Sequence, residues 1–278
     1  SGSAGNAQVT LNWTTSASSD FSRSVMLRWT GASAGSEVPV EGTDYSNGNT
    51  ITTATVACVR TADGASTAVS GVDGAGTGGC SATPLTNLQA YTYKVFQKDS
   101  NGNYDAGVAM GTFTPTPAAA TTLADGTNPS NVTIAPGAAI TDLDAFTLQT
   151  NVGSDTVTAV TVTLSPAGAY NNIAQVDLTD NTNVVRCTAV TNPGTNTISF
   201  TTCTSNGGVP VSTSATTYKV RITPKSHALM PVVPGASYAT TGTVTSFTSS
   251  NPHTGTDTAS ATVTVDNGSP TGATLVSG

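Results

Sequence analysis

The feature that most constrains the fold is a strand-like alternation of apolar and polar residues, rich in Thr and Val, along almost the whole chain. Val9, Leu11 and Trp13 alternate with polar residues, and so do the valines of residues 156–164, with one slip at Ala159. A period of two places alternate side chains on one buried face of a strand. Windows with helical spacing of apolar residues are interrupted by Gly, Pro or Thr-Val runs. The sequence therefore predicts an all-β protein with almost no helix.

Length and charge set the number of domains and exclude several classes of partner. The 278 residues suit two domains, each long enough to bury its own core. The net charge of −7 is spread over both halves without a basic patch, so nucleic acid is not expected as a partner. No apolar run reaches membrane-spanning length, so membrane insertion is not expected. We interpret the sequence as a fragment or mature product whose export signal lies elsewhere.

Composition predicts the boundaries of two tandem β-sandwich domains. Residues 1–116 are expected to form the first sandwich and residues 131–267 the second. Residues 117–130, rich in Pro, Ala and Thr, are interpreted as a short extended linker. Residues 268–278 are interpreted as a second linker, which leads to a next module.

Four cysteines fall two in each half of the chain, Cys58 and Cys80 in the first and Cys187 and Cys203 in the second. None lies in a C-x-x-C pair, so a zinc site is not expected. The simplest interpretation is one disulfide per domain; the alternative is four free buried thiols in a cytosolic protein. In the chain-entropy model each disulfide stabilises its domain by about 3 kcal/mol and requires an oxidising compartment. An extracellular or cell-surface location is therefore predicted.

The first half contains five predicted strands, at residues 8–14, 25–29, 51–60, 91–97 and 107–113. Residues 37–45 are predicted to form a loop shaped by Pro39 and Gly42. Residues 63–79, rich in Gly, Ala and Ser, are predicted to form a surface loop whose far end Cys80 fixes.

Several residues of this half occur in a characteristic order. They are Trp13 in the early strand, the Asp20-Phe21 pair before the second strand, and Leu85 six residues before Tyr91, followed by a Tyr-x-Tyr-x-Val-Phe strand and an Asp-x-x-Gly-Asn-Tyr turn. Together they make residues 3–114 resemble the fibronectin type III family, in the variant common in secreted bacterial proteins. The resemblance implies a tyrosine corner, in which the Tyr91 hydroxyl bonds to upstream backbone. The cysteine-bearing loop departs from the family and suggests a local insertion.

The second half contains about nine short predicted strands separated by turn residues, the spacing typical of a sandwich. They are residues 131–134, 144–150, 156–164, 173–178, 184–188, 197–202, 218–222, 239–247 and 259–265. This half resembles an immunoglobulin-like β-sandwich in style, without a specific family.

The two ends of the sequence suggest an array. In fibronectin-like modules a Pro-x-x-x-x-Leu segment usually leads into the first strand, and the C-terminal residues 270–275 have this pattern. Residues 1–13 look like its continuation. We therefore expect the chain to be one two-domain period of a longer array, or a stretch of a much longer protein.

Catalytic candidates are few, and no cofactor is expected. His227 and His253 lie in Pro-containing loop segments away from any nucleophile motif, and surface loop histidines are the simpler interpretation. Asp142 and Asp144 are a candidate carboxylate pair, but alternate residues share one strand face, and a solvated face often carries two. The residue inventory therefore predicts that the protein is not an enzyme.

A weak calcium candidate lies in the turn after the fourth predicted strand. Asp99, Asn101, Asn103 and Asp105 place oxygen side chains at alternate positions, as at the start of a calcium loop. Met110 stands where such a loop needs a bidentate Glu. Turn formation by Asn and Gly is the stronger interpretation, and no metal site is predicted.

Aromatic residues and glycosylation sequons indicate whether the protein could bind carbohydrate or carry it. Trp13 and Trp29 both lie in predicted strands, so burial in the core is expected, with exposure of Trp29 for recognition as the alternative. Asn12 and Asn131 begin glycosylation sequons, and Asn12 is a poor acceptor because it lies in a strand. The glycosylation candidates are therefore Asn131 and, in the Thr-Pro segment, Thr114 and Thr116.

Two classes of function remain. The leading one is a structural or adhesive module of an extracellular fibre, stalk or surface layer, whose partners are other copies of itself and, secondarily, glycans or other surface proteins. The alternative is a spacer or carbohydrate-binding accessory module of a secreted polysaccharide-degrading enzyme. A fold alone does not decide between them.

Overall fold

The structure is a computed structural model that describes residues 1–61, 63–231 and 237–268. The chain divides into two compact units, Ser1–Ala118 (unit 1) and Ala119–Gly278 (unit 2). Within the described ranges, helix is confined to three short 3-10 turns: Ala169–Asn172, Ser205–Gly207 and His227–Leu229. The all-β fold predicted from the alternation of residues is confirmed.

The described part of unit 1 has eight strands: β1 (Gly2–Gly5), β2 (Gln8–Thr14), β3 (Phe21–Thr30), β4 (Thr50–Ile51), β5 (Ala54–Arg60), β6 (Ala68–Asp73), β7 (Tyr91–Asp99) and β8 (Val108–Phe113). They form a three-stranded sheet in the order β1-β2-β6 and a five-stranded sheet in the order β4-β5-β3-β7-β8. Every pairing within these two sheets is antiparallel.

The two sheets of unit 1 pack face to face in a sandwich-like arrangement. Leu11 and Trp13 of one sheet share a buried cluster with Met26 and Tyr93 of the other. The alternate residues of β3 point to the opposite face, where Leu27 belongs to a second buried cluster. Because both faces of β3 are covered there, its residues 25–29 are apolar and buried except at Arg28.

One feature of the first half implied by the family resemblance is present in unit 1. The Thr86 amide donates a hydrogen bond to the Tyr91 hydroxyl oxygen at 3.0 Å. This is the contact with upstream backbone that defines a tyrosine corner.

The prediction of a surface loop over residues 63–79 is wrong in its middle. Strand β6 lies there and pairs with β2 from Val9–Asp73 to Thr14–Ala68. Its sequence is poor in large apolar residues, so intrinsic propensity gave little signal. The strand forms because its backbone completes the hydrogen bonds of β2, and its inward side chains Val69 and Asp73 are buried.

The described part of unit 2 has thirteen strands: β9 (Thr121–Asp125), β10 (Val132–Ile134), β11 (Thr141–Thr150), β12 (Asp155–Val157), β13 (Ala159–Ser165), β14 (Ile173–Asp180), β15 (Val190–Thr191), β16 (Thr197–Phe200), β17 (Val209–Val211), β18 (Thr216–Pro224), β19 (Ser237–Thr248), β20 (His253–Thr256) and β21 (Val263–Asp266). They form a five-stranded sheet (β10-β21-β19-β13-β16), a six-stranded sheet (β15-β14-β18-β11-β9-β20) and the pair β12-β17.

One continuous core lies between the sheets of unit 2. Phe146 and Tyr218 of the six-stranded sheet join Val162, Phe200 and Val244 of the five-stranded sheet in it. The slip in the alternation before residue 160 has a structural counterpart. The chain leaves the pair β12-β17 there and enters the five-stranded sheet as β13.

Several predicted boundaries in this half differ from the structure. The expected linker 117–130 contains β9, which pairs with β11 and β20 and buries Thr121 and Leu123. Residues 184–188 form only an isolated bridge, and β17 and β20 were not predicted. These are short polar segments, for which tertiary pairing outweighs local pattern. Of the predicted C-terminal linker 268–278, residues 269–278 lie outside the described residues.

Candidate functional site

Both predicted disulfides are present, Cys58–Cys80 in unit 1 and Cys187–Cys203 in unit 2. All four cysteines are buried. In unit 1 the bond ties β5 to the segment that follows β6, and the Cys80 sulfur packs on Gly71. Paired, buried cysteines fit an oxidising environment.

The turn that carried the calcium candidate is held by its own hydrogen bonds. Asp99 Oδ1 accepts bonds from the amides of Asn101 (2.9 Å) and Asn103 (2.8 Å), and Asp99 Oδ2 accepts one from Asn103 Nδ2 at 2.7 Å. Asp105 Oδ1 accepts bonds from the amides of Gln97 and Gly107. The carboxylates of Asp99 and Asp105 therefore stabilise the turn, which is the interpretation favoured from the sequence.

Asp142 and Asp144 do not share a strand face as expected. A β-bulge at Leu143 aligns Asp142 with Arg221 but Asp144 with the next residue of β18, Val220. Because consecutive residues of β18 face opposite ways, so do the two aspartates. Asp142 lies between Lys219 (3.0 Å) and Arg221 (2.6 Å), whereas Asp144 is fully buried. They are not a catalytic pair.

A cluster of three aspartates is formed instead by Asp125, Asp144 and Asp257, here called the aspartate cluster. Asp257 follows Thr256, which lies opposite Ala124, so Asp257 is placed beside Asp125 of β9. Asp144 lies two residues before Phe146, the partner of Asp125 on β11. Asp144 is 0% exposed and Asp257 is 7% exposed.

The environment shifts the pKa values of the aspartate cluster in opposite directions. Burial raises the pKa of Asp144 and of Asp257 well above the ordinary range, and for Asp257 contact with the other two carboxyls adds to the rise. Asp125 is at the surface, and hydrogen bonds, first from Asp257 and then from Thr258, hold its pKa far below the ordinary range. Burial therefore favours the neutral form of Asp144 and Asp257 more than that of an exposed aspartate.

The two histidines and two tryptophans were the candidates for catalysis and for carbohydrate recognition. His227 is exposed in a 3-10 turn, and His253 begins β20 with its ring 4.4 Å from that of Phe247. Trp13 and Trp29 are both buried, and their indole nitrogens donate to Ser24 and Glu37. The expectation of core tryptophans is met, and the exposed platform considered for Trp29 is absent.

The glycosylation candidates Asn131, Thr114 and Thr116 are all exposed. Asn131 Oδ1 accepts a hydrogen bond from the Thr262 amide at 2.8 Å. Exposure makes the three side chains accessible and leaves their modification a prediction.

The described residues contain neither a metal-binding group nor a membrane-spanning helix. Across residues 1–61, 63–231 and 237–268, no three His, Cys, Asp or Glu side chains stand as ligands around a common metal position. Within the same ranges, no helix has the length and apolar character needed to cross a membrane.

Comparison with known proteins adds no relative. No protein-family model matches the chain, and no curated protein matches it in sequence. The residues and sheets described above are therefore the basis for a functional argument.

Sequence reasoning missed Asp125, which lies in the predicted linker, and Asp257, which lies between two predicted strands. One signal was present for Asp144. It occupies the inward position of the alternation that continues through Phe146 and Leu148, where an apolar residue is expected. A carboxyl at such a position needs partners from elsewhere in the chain.

Proposed function

We propose that this protein is a non-enzymatic structural or adhesive module of an extracellular fibre, stalk or surface layer, in which copies of a two-domain period follow one another. The fibronectin type III-like character of the first domain and the immunoglobulin-like character of the second belong to this proposal. The sandwich-like units and their two disulfides support it, since such modules act as rigid, protease-resistant spacers in oxidising surroundings.

The observation that carries the proposal is the lack of charge on the sheet edges. Eight strands lie at the edges of the four larger sheets, as far as the described residues define them. Of these, only β6 contains an Asp, Glu, Lys or Arg, and its Asp73 is buried. Monomeric β-proteins usually place charges on their edges to prevent pairing with other chains. Uncharged edges are suited to pairing between copies.

The edge strand β8 offers a direct test. Val108 is 62% exposed and lies opposite Val95 of β7. Replacing it by Lys places a charge on this edge, which should oppose pairing with another chain. We expect the wild-type chain to form regular assemblies in electron micrographs. V108K should need at least about tenfold more protein to assemble, which corresponds to a loss of about 1.4 kcal/mol in the free energy of association.

The matched control is Val38→Lys, since Val38 is 52% exposed in a loop and the charge change is the same. V38K should assemble like the wild type. Assembly of V108K at the wild-type concentration would show that another edge is used. A wild-type chain that stays monomeric at all concentrations would contradict the proposed function.

The alternative of a spacer or glycan-binding accessory module keeps the same fold. The burial of both tryptophans removes its expected binding platform. Retention of the monomer on polysaccharide columns would restore this alternative.

A further inference from the structure

Three neighbouring strands of the six-stranded sheet bring the aspartate cluster together. Asp125 ends β9 and lies opposite Phe146 of β11, two residues beyond Asp144. On the other side of β9, Thr256 of β20 lies opposite Ala124, and Asp257 is the next residue. Strand order and register, not sequence proximity, therefore place the three carboxyls at neighbouring positions of the sheet.

The hydrogen bonds around the cluster leave several oxygens without donors. Asp125 accepts bonds from the amides of Thr258 (2.7 Å) and Ala259 (3.0 Å) and from the Thr258 hydroxyl (2.7 Å). Asp257 Oδ2 accepts the Val244 amide at 2.6 Å, but Asp257 Oδ1 and both oxygens of Asp144 have no donor if all three groups are ionised. Buried carboxylate oxygens without donors are strongly unfavourable.

The charged groups that face the cluster do not supply the missing donors. On β11 and β18, Asp142 engages Lys219 and Arg221 on the opposite face of the sheet. β19 contributes the Val244 amide, and the His253 ring at the far end of β20 packs on Phe247. Among the described residues, no ion pair reaches Asp125, Asp144 or Asp257. A proton on one of the three carboxyls is the donor that this geometry lacks.

We propose that the aspartate cluster is a proton-holding clasp: Asp257 carries a proton, donates a hydrogen bond to a neighbouring carboxylate of the cluster, and so fastens the edge strand β20 to β9 and β11. Loss of this proton turns a hydrogen bond into repulsion between like charges in a buried site. The clasp opens at alkaline pH, which loosens β20 and the segment that follows it.

The sign of the pH dependence follows from linkage. The pKa of Asp257 is raised in the folded chain, so the folded state holds a proton that the unfolded state has lost. The stability that this proton gives to the folded state is fully present below the ordinary aspartate pKa of about 4. It is lost as the pH rises through the raised pKa of Asp257 in the folded chain. Within that window the equilibrium constant for opening increases by up to about tenfold per pH unit.

Hydrogen exchange of the full chain tests the clasp locally. Protection of β9 and β20 amides, corrected for the intrinsic exchange rate, is measured by mass spectrometry from about pH 5 to 10. In the wild type it should fall with pH by up to about tenfold per unit. In Asp257→Asn the amide keeps the shape and a donor without a titratable proton. Asp144 still titrates with a raised pKa, so protection should fall less steeply with pH than in the wild type and should exceed that of the wild type at alkaline pH.

Asp155→Asn is the matched control in the same unit. Burial alone would raise the pKa of Asp155, but bonds from Thr121, Ser249 and Ser250 hold it at about 2. D155N should be less protected than the wild type at neutral pH, and it should not become better protected than the wild type at alkaline pH. If D257N is less protected than the wild type by the same factor at every pH, the proposed clasp is overturned.

A metal ion is the other cation that could neutralise the cluster. The same exchange experiment is therefore run with added Ca²⁺ and with a chelator. Wild-type protection should be the same in both. If Ca²⁺ restores alkaline protection in the wild type but not in D257N, a metal takes the place of the proton and the proposal fails.

Discussion

At the residue scale, a buried ion pair shows how unit 1 accommodates charge. Asp73 of β6 is 0% exposed and accepts hydrogen bonds from Arg28 Nη1 at 2.7 Å and from the Tyr93 hydroxyl at 2.8 Å. Burial raises the pKa of Asp73, and the Arg28 guanidinium opposes this rise. Arg28 also lies over the Tyr91 ring, 5.4 Å from its centroid. The arginine therefore compensates a carboxylate that would otherwise be unpaired in the core.

Replacing Arg28 by Met should leave Asp73 buried without a cation. We expect unit 1 to lose about 3 kcal/mol or more of unfolding free energy, and to lose more at high pH, where Asp73 is ionised. Urea unfolding followed by tryptophan fluorescence measures this, because both tryptophans lie in unit 1. The R28M/D73N double variant should recover most of the loss. A double variant as unstable as R28M would contradict this account.

At the element scale, β6 shows how a strand without a strong pattern is specified by its neighbours. A Cβ atom on Gly71 would lie 2.4 Å from the Cys80 sulfur and 3.0 Å from the Gly78 carbonyl oxygen. Only glycine leaves room there for the disulfide. A residue that weakens strand propensity is thus the one that this strand requires.

Gly71→Ala should therefore destabilise unit 1 by about 1–3 kcal/mol, the usual cost of overpacking. The shift is read from the midpoint of tryptophan-detected unfolding. Gly64→Ala is the control in the same unit, because its added Cβ would meet only the Thr67 hydroxyl at 3.3 Å. Equal midpoints for G71A and the wild type would show that the disulfide does not need this space.

At the scale of the whole molecule, each unit carries its own disulfide. The linked cysteines are 22 residues apart in unit 1 and 16 residues apart in unit 2. In the chain-entropy model loops of these lengths restrict the unfolded state by similar amounts. The two bonds are therefore expected to stabilise the two units separately and about equally.

Removing the bonds one at a time tests this. C58A/C80A should lower the unfolding free energy of unit 1 by about 3 kcal/mol and shift the tryptophan-detected transition. C187A/C203A should leave that transition in place and destabilise unit 2 by a similar amount, measured by circular dichroism. A shift of the tryptophan signal in C187A/C203A would show that the units do not unfold separately.

Particular residues show how much could be predicted. Val9, Leu11 and Trp13 alternate clearly, and β2 has the predicted limits. The pairing of cysteines by half predicted both bonds. β9 and β20 were missed because segments such as His-Thr-Gly-Thr carry no pattern, and their strand conformation comes from pairing with neighbours. The aspartate cluster was missed for the same reason, since two of its members lie at the ends of these strands.

The sequence by itself determined the all-β class, the main core strands and the disulfide partners, because alternation and cysteine spacing are local properties of the chain. Only the tertiary structure decided which polar segments became strands, that Asp142 and Asp144 face apart, and that Asp257 meets Asp125 and Asp144. These depend on register, a bulge and strand order between segments that are distant in sequence, such as β9 and β20, which are separated in the sequence by most of unit 2. Local pattern carries no record of such pairing, since it is selected by the hydrogen bonds and burial of the assembled sheet.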